Sequence, residues 1–154
     1  MHKVILWSIY NLQNVNNIMA LNYLESEVGF KRGKGGKFQN CIVIKNEIPD
    51  DKVDDVLKNQ SNADDCPKLI VIMNSGSVVL VSAVGDARVI SIKETEIIHG
   101  LMVLIGLYYI CGLSFPRPYG QFLGIMQEIG MKEQYKGSKS QGFMQWMSIL
   151  RNNS

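Results

Sequence analysis

Apolar residues recur at steps of three and four through the start of the chain: Ile5, Ile9, Leu12, Val15, Ile18, Met19 and Leu24. That spacing draws one stripe along a helix and predicts an N-terminal helix within residues 4–28. Asn11, Asn14, Asn16 and Asn17 are poor helix formers and favour fraying of its early part. Gly29 suits the left-handed cap that ends helices.

Residues 31–67 read as a loop-rich segment with two short interruptions. The run Cys41-Ile42-Val43-Ile44 is too short for periodicity to separate strand from helix, although β-branching favours a strand. Pro49 to Lys58 begins with proline and two aspartates and then brings Val53, Val56 and Leu57 together, which predicts a short helix with acids at its positive end. Beyond it, Lys68–Asn74 and Ser77–Ala83 are β-branched runs separated by Ser75-Gly76, the pattern of a hairpin. Gly85-Asp86 marks a second turn before Arg88–Ile92, so residues 68–92 predict a three-stranded antiparallel meander.

The last third, residues 94–151, has helical periodicity. Thr95 can cap a helix over Glu96–Gly112. Pro116 and Pro118 break the pattern. A second helix is predicted over Tyr119–Met131 and a third over Ser140–Arg151. The expected fold is therefore a single α+β domain spanning 1–154: a small antiparallel sheet packed by C-terminal helices, plus an N-terminal helix within residues 1–30.

Ile97 to Phe115 is nineteen residues with no charge when His99 is neutral. By length it reaches the roughly 20 residues of a membrane span. The competing reading, which we prefer, is a central helix covered on every side, because the remaining elements supply partners for it. Its flanks also lack the basic asymmetry of a span: Lys93, Glu94 and Glu96 stand on one side and Arg117 on the other.

Hydrophobic residues make up 46% of the chain and charged residues 19%, which excludes a disordered composition. A net charge of +2 is too small to imply nucleic acid by itself. Three scattered cysteines are not a secreted disulfide framework, and the chain turns polar at Asn11 without a signal-peptide cleavage pattern. Both observations predict an intracellular protein, cytoplasmic or nuclear.

The sharpest local feature is the basic, glycine-rich stretch carrying Lys31, Arg32, Lys34 and Lys37. Freed backbone amides and lysines can hold an anion or a phosphate backbone. The stretch lacks Walker A spacing and the Ser/Thr that follows the lysine, so no nucleotide site is implied. Glu47, Asp50, Asp51, Asp54, Asp55, Asp64 and Asp65 form an acidic counterpart that reads as a solvated face. Glu96-Ile-Ile-His99 has the Glu-x-x-His spacing of di-iron bundles, but such a site needs two such motifs and further carboxylates. His99 therefore reads as a core or cap-region residue. Cys41, Cys66 and Cys111 are the available nucleophiles, and nothing pairs them with His99: Cys111 is about 18 Å further along the same predicted helix. Cys111 reads best as a small buried hydrophobe. Tyr108, Tyr109, Phe115, Tyr119, Phe122, Phe143 and Trp146 lie at core spacing. No metal or cofactor is implied, and no catalytic residues are assigned.

The run Leu101 to Pro116, with Gly106-Leu107-Tyr108-Tyr109 and Phe115-Pro116, followed by Phe122-Leu-Gly-Ile-Met-Gln127, resembles the C-terminal region of large animal proteins labelled as similar to sterile alpha motif domain-containing protein 3. The preceding hairpin, Leu69 to Ile92, is similar as well. The resemblance covers roughly residues 68–150. It implies a soluble setting for the apolar helix and a C-terminal module of a mobile-element-related protein, and it transfers no catalytic residue. The expected function is a protein-interaction or scaffold domain, acting through a partner or self-association. The alternatives are a nucleic-acid accessory module using the basic loop and a single-span membrane protein using residues 97–115.

Overall fold

The computed structural model describes residues 14–28, 40–61, 66–85, 88–92 and 96–153. Strands β1 (Ile42–Asn46), β2 (Lys68–Asn74), β3 (Ser77–Gly85) and β4 (Arg88–Ile92) form one sheet in the order β1-β2-β3-β4. Strands β2 to β4 are the expected antiparallel meander. Its first turn holds Ser75 at φ 51° and Gly76 at φ 74°, the two left-handed residues that a tight hairpin requires.

The sheet is not wholly antiparallel, however. β1 pairs with β2 in parallel, from Ile42 beside Leu69 to Asn46 beside Met73. The segment 31–67 is thus not all loop, and its ambiguous apolar run is a strand. A parallel neighbour needs a crossover. The chain supplies it as a 3-10 turn at Asp50–Lys52, entered from Pro49, followed by α2 (Val53–Gln60). Asn74 fastens the crossover back to the hairpin: its Oδ1 accepts from the Ile48 N–H at 3.1 Å and its Nδ2 donates to the Ile48 carbonyl at 3.2 Å. Glu47, read as part of a solvated acidic face, accepts from the Ser75 N–H at 2.8 Å and so steadies the turn.

Alternation in the strands divides the core. Leu69, Val71, Val81 and Ala83 face the helices, whereas Ile70, Ile72 and Val84 face Leu57 of α2. The helical layer consists of α1 (Asn14–Val28), α3 (Ile97–Ile110), α4 (Gly120–Gly130) and α5 (Gln141–Asn152). In α1, Ile18, Leu21, Leu24 and Val28 are fully buried. Met19, expected on that stripe, is 64% exposed; it lies one residue, about 100° of helix, away from Ile18.

Gly100 brings α3 onto the sheet: a Cβ there would stand 2.6 Å from Val81 Cγ1. Ser140 caps α5, accepting from the Phe143 N–H at 3.1 Å, and its hydroxyl donates to the Val28 carbonyl at 2.9 Å. One side chain therefore joins the start of α5 to the end of α1. No helix among the described residues is long and apolar enough to cross a membrane. α3 has fourteen residues, about 21 Å of helix, against a hydrocarbon core of about 30 Å. The reading of residues 97–115 as a span is thereby overturned: Gly112, at φ 63°, turns the chain out of the helix well before Phe115.

Candidate functional site

The basic residues Lys31, Arg32, Lys34 and Lys37 lie outside the described residues, as do Gly29, Asp64, Asp65 and Thr95. The other sequence candidates do not converge. His99 is exposed in the first turn of α3 rather than in the core, and Glu96 is the N-cap residue. Cys66 is exposed in the loop before β2. Cys111 is half-buried at the end of α3, where its Sγ accepts from Arg88 Nη1 at 3.2 Å, so it is not the buried cysteine that was expected. That place belongs to Cys41. Among the described residues no group of three His, Cys, Asp or Glu side chains is placed to hold a metal ion.

Two buried polar arrangements were not foreseen. Glu25 of α1 is only 8% exposed, and its carboxylate accepts from the backbone N–H groups of Cys41 and Ile42 at the entry to β1. Burial pushes its pKa from 4.5 up to about 7, with the two backbone hydrogen bonds pulling the other way. The neighbouring Cys41 thiol is pushed well above its ordinary value, first by burial and then by the Glu25 charge. The second arrangement joins α3, α4 and the sheet. Tyr108 donates to the Pro67 carbonyl at 2.7 Å and Tyr119 to the same carbonyl at 2.9 Å, with Cys66 O 3.2 Å from the Tyr119 hydroxyl. Burial holds both phenols above their ordinary pKa, so they remain donors. Both arrangements fix elements to one another; Glu25 also lines a cavity of about 440 Å³ together with Asn22, Ser26, Asn40 and Ile42.

The surface feature that stands out is the outward side of α3. The helix has no charged residue, and its buried side carries Ile97, Leu101, Leu104, Ile105 and Tyr108. At 100° per residue, the opposite side carries His99, Met102, Val103, Gly106, Tyr109 and Ile110. These six are half-buried or exposed, and Ile110 is 85% exposed. α3 is therefore not covered all round, contrary to the expectation of a wholly central helix. Gly106 has open space where a Cβ would be.

The stripe continues into a cavity of about 380 Å³ at the C-terminal end of α3, lined in part by Tyr109, Leu113, Phe115, Glu133, Tyr135 and Lys136. Its wall is ordered by ring contacts: Phe115 meets Tyr108 edge-on at 5.3 Å and stacks on Tyr135 at 6.2 Å. Tyr109 donates to Glu133 Oε2 at 2.6 Å, an acceptor that raises the phenol's pKa. Glu128 anchors the far side, accepting from the Tyr135 N–H at 3.0 Å and from Arg151 at 3.1 Å. The cavity thus has a rigid aromatic floor and a mixed polar rim, the composition of a surface that receives an apolar side chain. No signal in the sequence separates the outward stripe from the inward one, since both are apolar.

No family model matches the sequence, and no curated protein or solved structure is similar to it at a significant level.

Proposed function

We propose that this domain binds a protein partner through the outward stripe of α3 and the aromatic cavity at its end. The observation that carries the reading is the uncharged outward side of α3, where half-buried Val103 and Gly106 lead to exposed Tyr109 and Ile110 while the other side is core. Exposed apolar area of this kind is costly in water unless another surface covers it. Gly106 adds a second reason. A glycine inside a helix, with nothing near it, lowers stability by about 1 kcal/mol relative to alanine. Its use is close approach of another backbone. A partner helix with its own apolar face fits Val103, Gly106 and Ile110, while an apolar anchor enters the cavity lined by Tyr109, Leu113 and the stacked Phe115 and Tyr135.

Gly106→Ala is expected to stabilise the isolated domain by about 1 kcal/mol in urea denaturation, because the helical backbone accepts alanine and the site is open. The same substitution should weaken the partner complex. A variant that is neither more stable nor a poorer binder would remove the role assigned to this glycine.

The reading itself is tested by affinity capture with three immobilised forms. Wild type should retain a partner that Ile110→Lys loses, with both forms melting alike since Ile110 is on the surface. Charge reversal at Lys31, Arg32, Lys34 and Lys37 should leave that partner bound. The opposite pattern, with loss only on charge reversal and binding that falls steeply with salt, would move the function to the basic loop and to nucleic acid.

A further inference from the structure

The cavity of about 440 Å³ beside Glu25 lies between α1 and the β1 edge of the sheet: Asn22, Glu25 and Ser26 line it from the helix, residues 40 and 42–44 from the strand side. Among the described residues no strand pairs with the outer side of β1. The ladder shows which backbone groups point there. The Cys41 carbonyl accepts from the Leu69 N–H at 2.8 Å, and the Glu47 N–H donates to the Met73 carbonyl at 2.8 Å. Every second residue of a strand turns its backbone groups to the same neighbour, so the odd positions of β1 bond to β2 and the even ones turn outward. Ile42 follows this rule, since its N–H goes to Glu25 and not to β2. The Ile44 and Asn46 amides and the Ile42 and Ile44 carbonyls therefore face the outer side. Ile42 and Ile44 pack into the core under the helices, whereas Val43 packs with the Leu57 cluster on the other face. Lys45 alternates to the Val43 face, so the one cation of β1 stands away from the Glu25 side. Among the described residues Glu25 is the only charged one that lines the cavity, and it is buried. A buried carboxylate is stabilised by a cation, and Asn22, Ser26 and Asn40 add neutral donors and acceptors beside it.

We infer that this cleft takes an extended peptide segment of a partner protein, which pairs with the outer edge of β1 and sets a lysine or arginine side chain against Glu25. The two halves of the site point to one ligand. Alternating main-chain donors and acceptors at strand spacing match another strand, and the buried carboxylate beside them matches a basic residue within it. The main-chain ladder supplies affinity whatever the sequence, and Glu25 supplies the choice of side chain. The site shares no residue with the α3 stripe and does not depend on it.

Selection from a phage-displayed library of random linear nonapeptides tests the inference on the full chain. Recovered peptides should carry a lysine or arginine within a β-branched run, and Glu25→Gln should weaken their binding by about tenfold. In wild type a recovered peptide should slow amide exchange at Ile44 and Asn46, the outward pair, and leave Val43 and Lys45 unchanged. That readout uses no variant, so it stands if a substitution disturbs the fold. Ile44→Pro removes one outward N–H and no bond to β2, and should fold yet lose the peptide. The inference is overturned if no peptide is recovered, or if the recovered peptides lack a basic residue or bind Glu25→Gln as well as wild type. Unchanged exchange at Ile44 and Asn46 overturns it too. Peptides that Ile110→Lys loses, with β1 exchange unchanged, would belong to the α3 stripe instead.

Discussion

The stability of this domain is expected to fall as the pH rises from about 4.5 to about 7, and Glu25→Gln is expected to abolish most of that fall. The reason is the environment of Glu25. The unfolded chain loses the Glu25 proton near pH 4.5, whereas the folded chain holds it until about 7. Between those values the native state binds more protons than the unfolded state, so rising pH favours unfolding. This is the reverse of the usual paired carboxylate, whose pKa is lowered by folding. The interval corresponds to about 3 kcal/mol as an order of magnitude. Glutamine keeps the shape and one acceptor for the amides of Cys41 and Ile42, and carries no proton to lose. Urea denaturation of both forms from pH 4 to 8 gives the answer, because the difference between the two curves isolates Glu25 from every other titrating group. Parallel curves would mean that Glu25 is already ionised in the folded protein, with the two backbone N–H groups outweighing burial. Above pH 7 the wild type bears the full penalty, so the variant gains most there.

How much of this was visible in the sequence depends on how far apart the participants are. Periodicity located the local elements well: the last three helices were expected at 96–112, 119–131 and 140–151 and occur at Ile97–Ile110, Gly120–Gly130 and Gln141–Asn152. The meander followed from Ser75-Gly76, whose left-handed conformations are a property of the dipeptide. What failed was long-range. The run at Cys41–Ile44 could not declare itself a parallel strand, because its partner Leu69–Met73 lies beyond a crossover. Glu25 is sixteen residues from the Cys41 amide that it caps, and nothing in Leu24-Glu25-Ser26 marks a buried acid. For α3 the difficulty is one of kind. An amphipathic helix shows which side is core, but one that is apolar all round carries no such mark, so the partly exposed stripe His99–Ile110 emerged only from the packing. The basic loop was the most conspicuous motif in the sequence, and it lies outside the described residues. α3 and its N-cap carry Glu96-Ile-Ile-His99 and Gly106-Leu107-Tyr108-Tyr109, and neither pattern marks its outward side as a surface.

The Pro67 carbonyl offers the other large effect and a check on how the helical layer is joined to the sheet. It precedes β2 and takes hydrogen bonds from two buried phenols, Tyr108 of α3 and Tyr119, which leads into α4. A carbonyl has two lone pairs, so either phenol alone still satisfies it. Tyr108→Phe and Tyr119→Phe should therefore each cost about 1 kcal/mol, the net value of one hydrogen bond. Removing both hydroxyls leaves the carbonyl buried without a donor from either side chain, which adds a desolvation penalty of about 1–3 kcal/mol. The double variant should accordingly lose more than the sum of the singles, and a double-mutant cycle in urea measures the excess directly. The two hydroxyls also stand 3.4 Å from each other, close enough for one to reorient when the other is deleted. Such reorientation makes each single loss milder and the excess larger. A strictly additive cycle would mean that water or a shift of the Cys66–Pro67 loop replaces the missing donors. The α3–α4 junction would then be held to the sheet by apolar packing around Leu101, Leu104 and Phe122, with the tyrosines contributing ring area and little else.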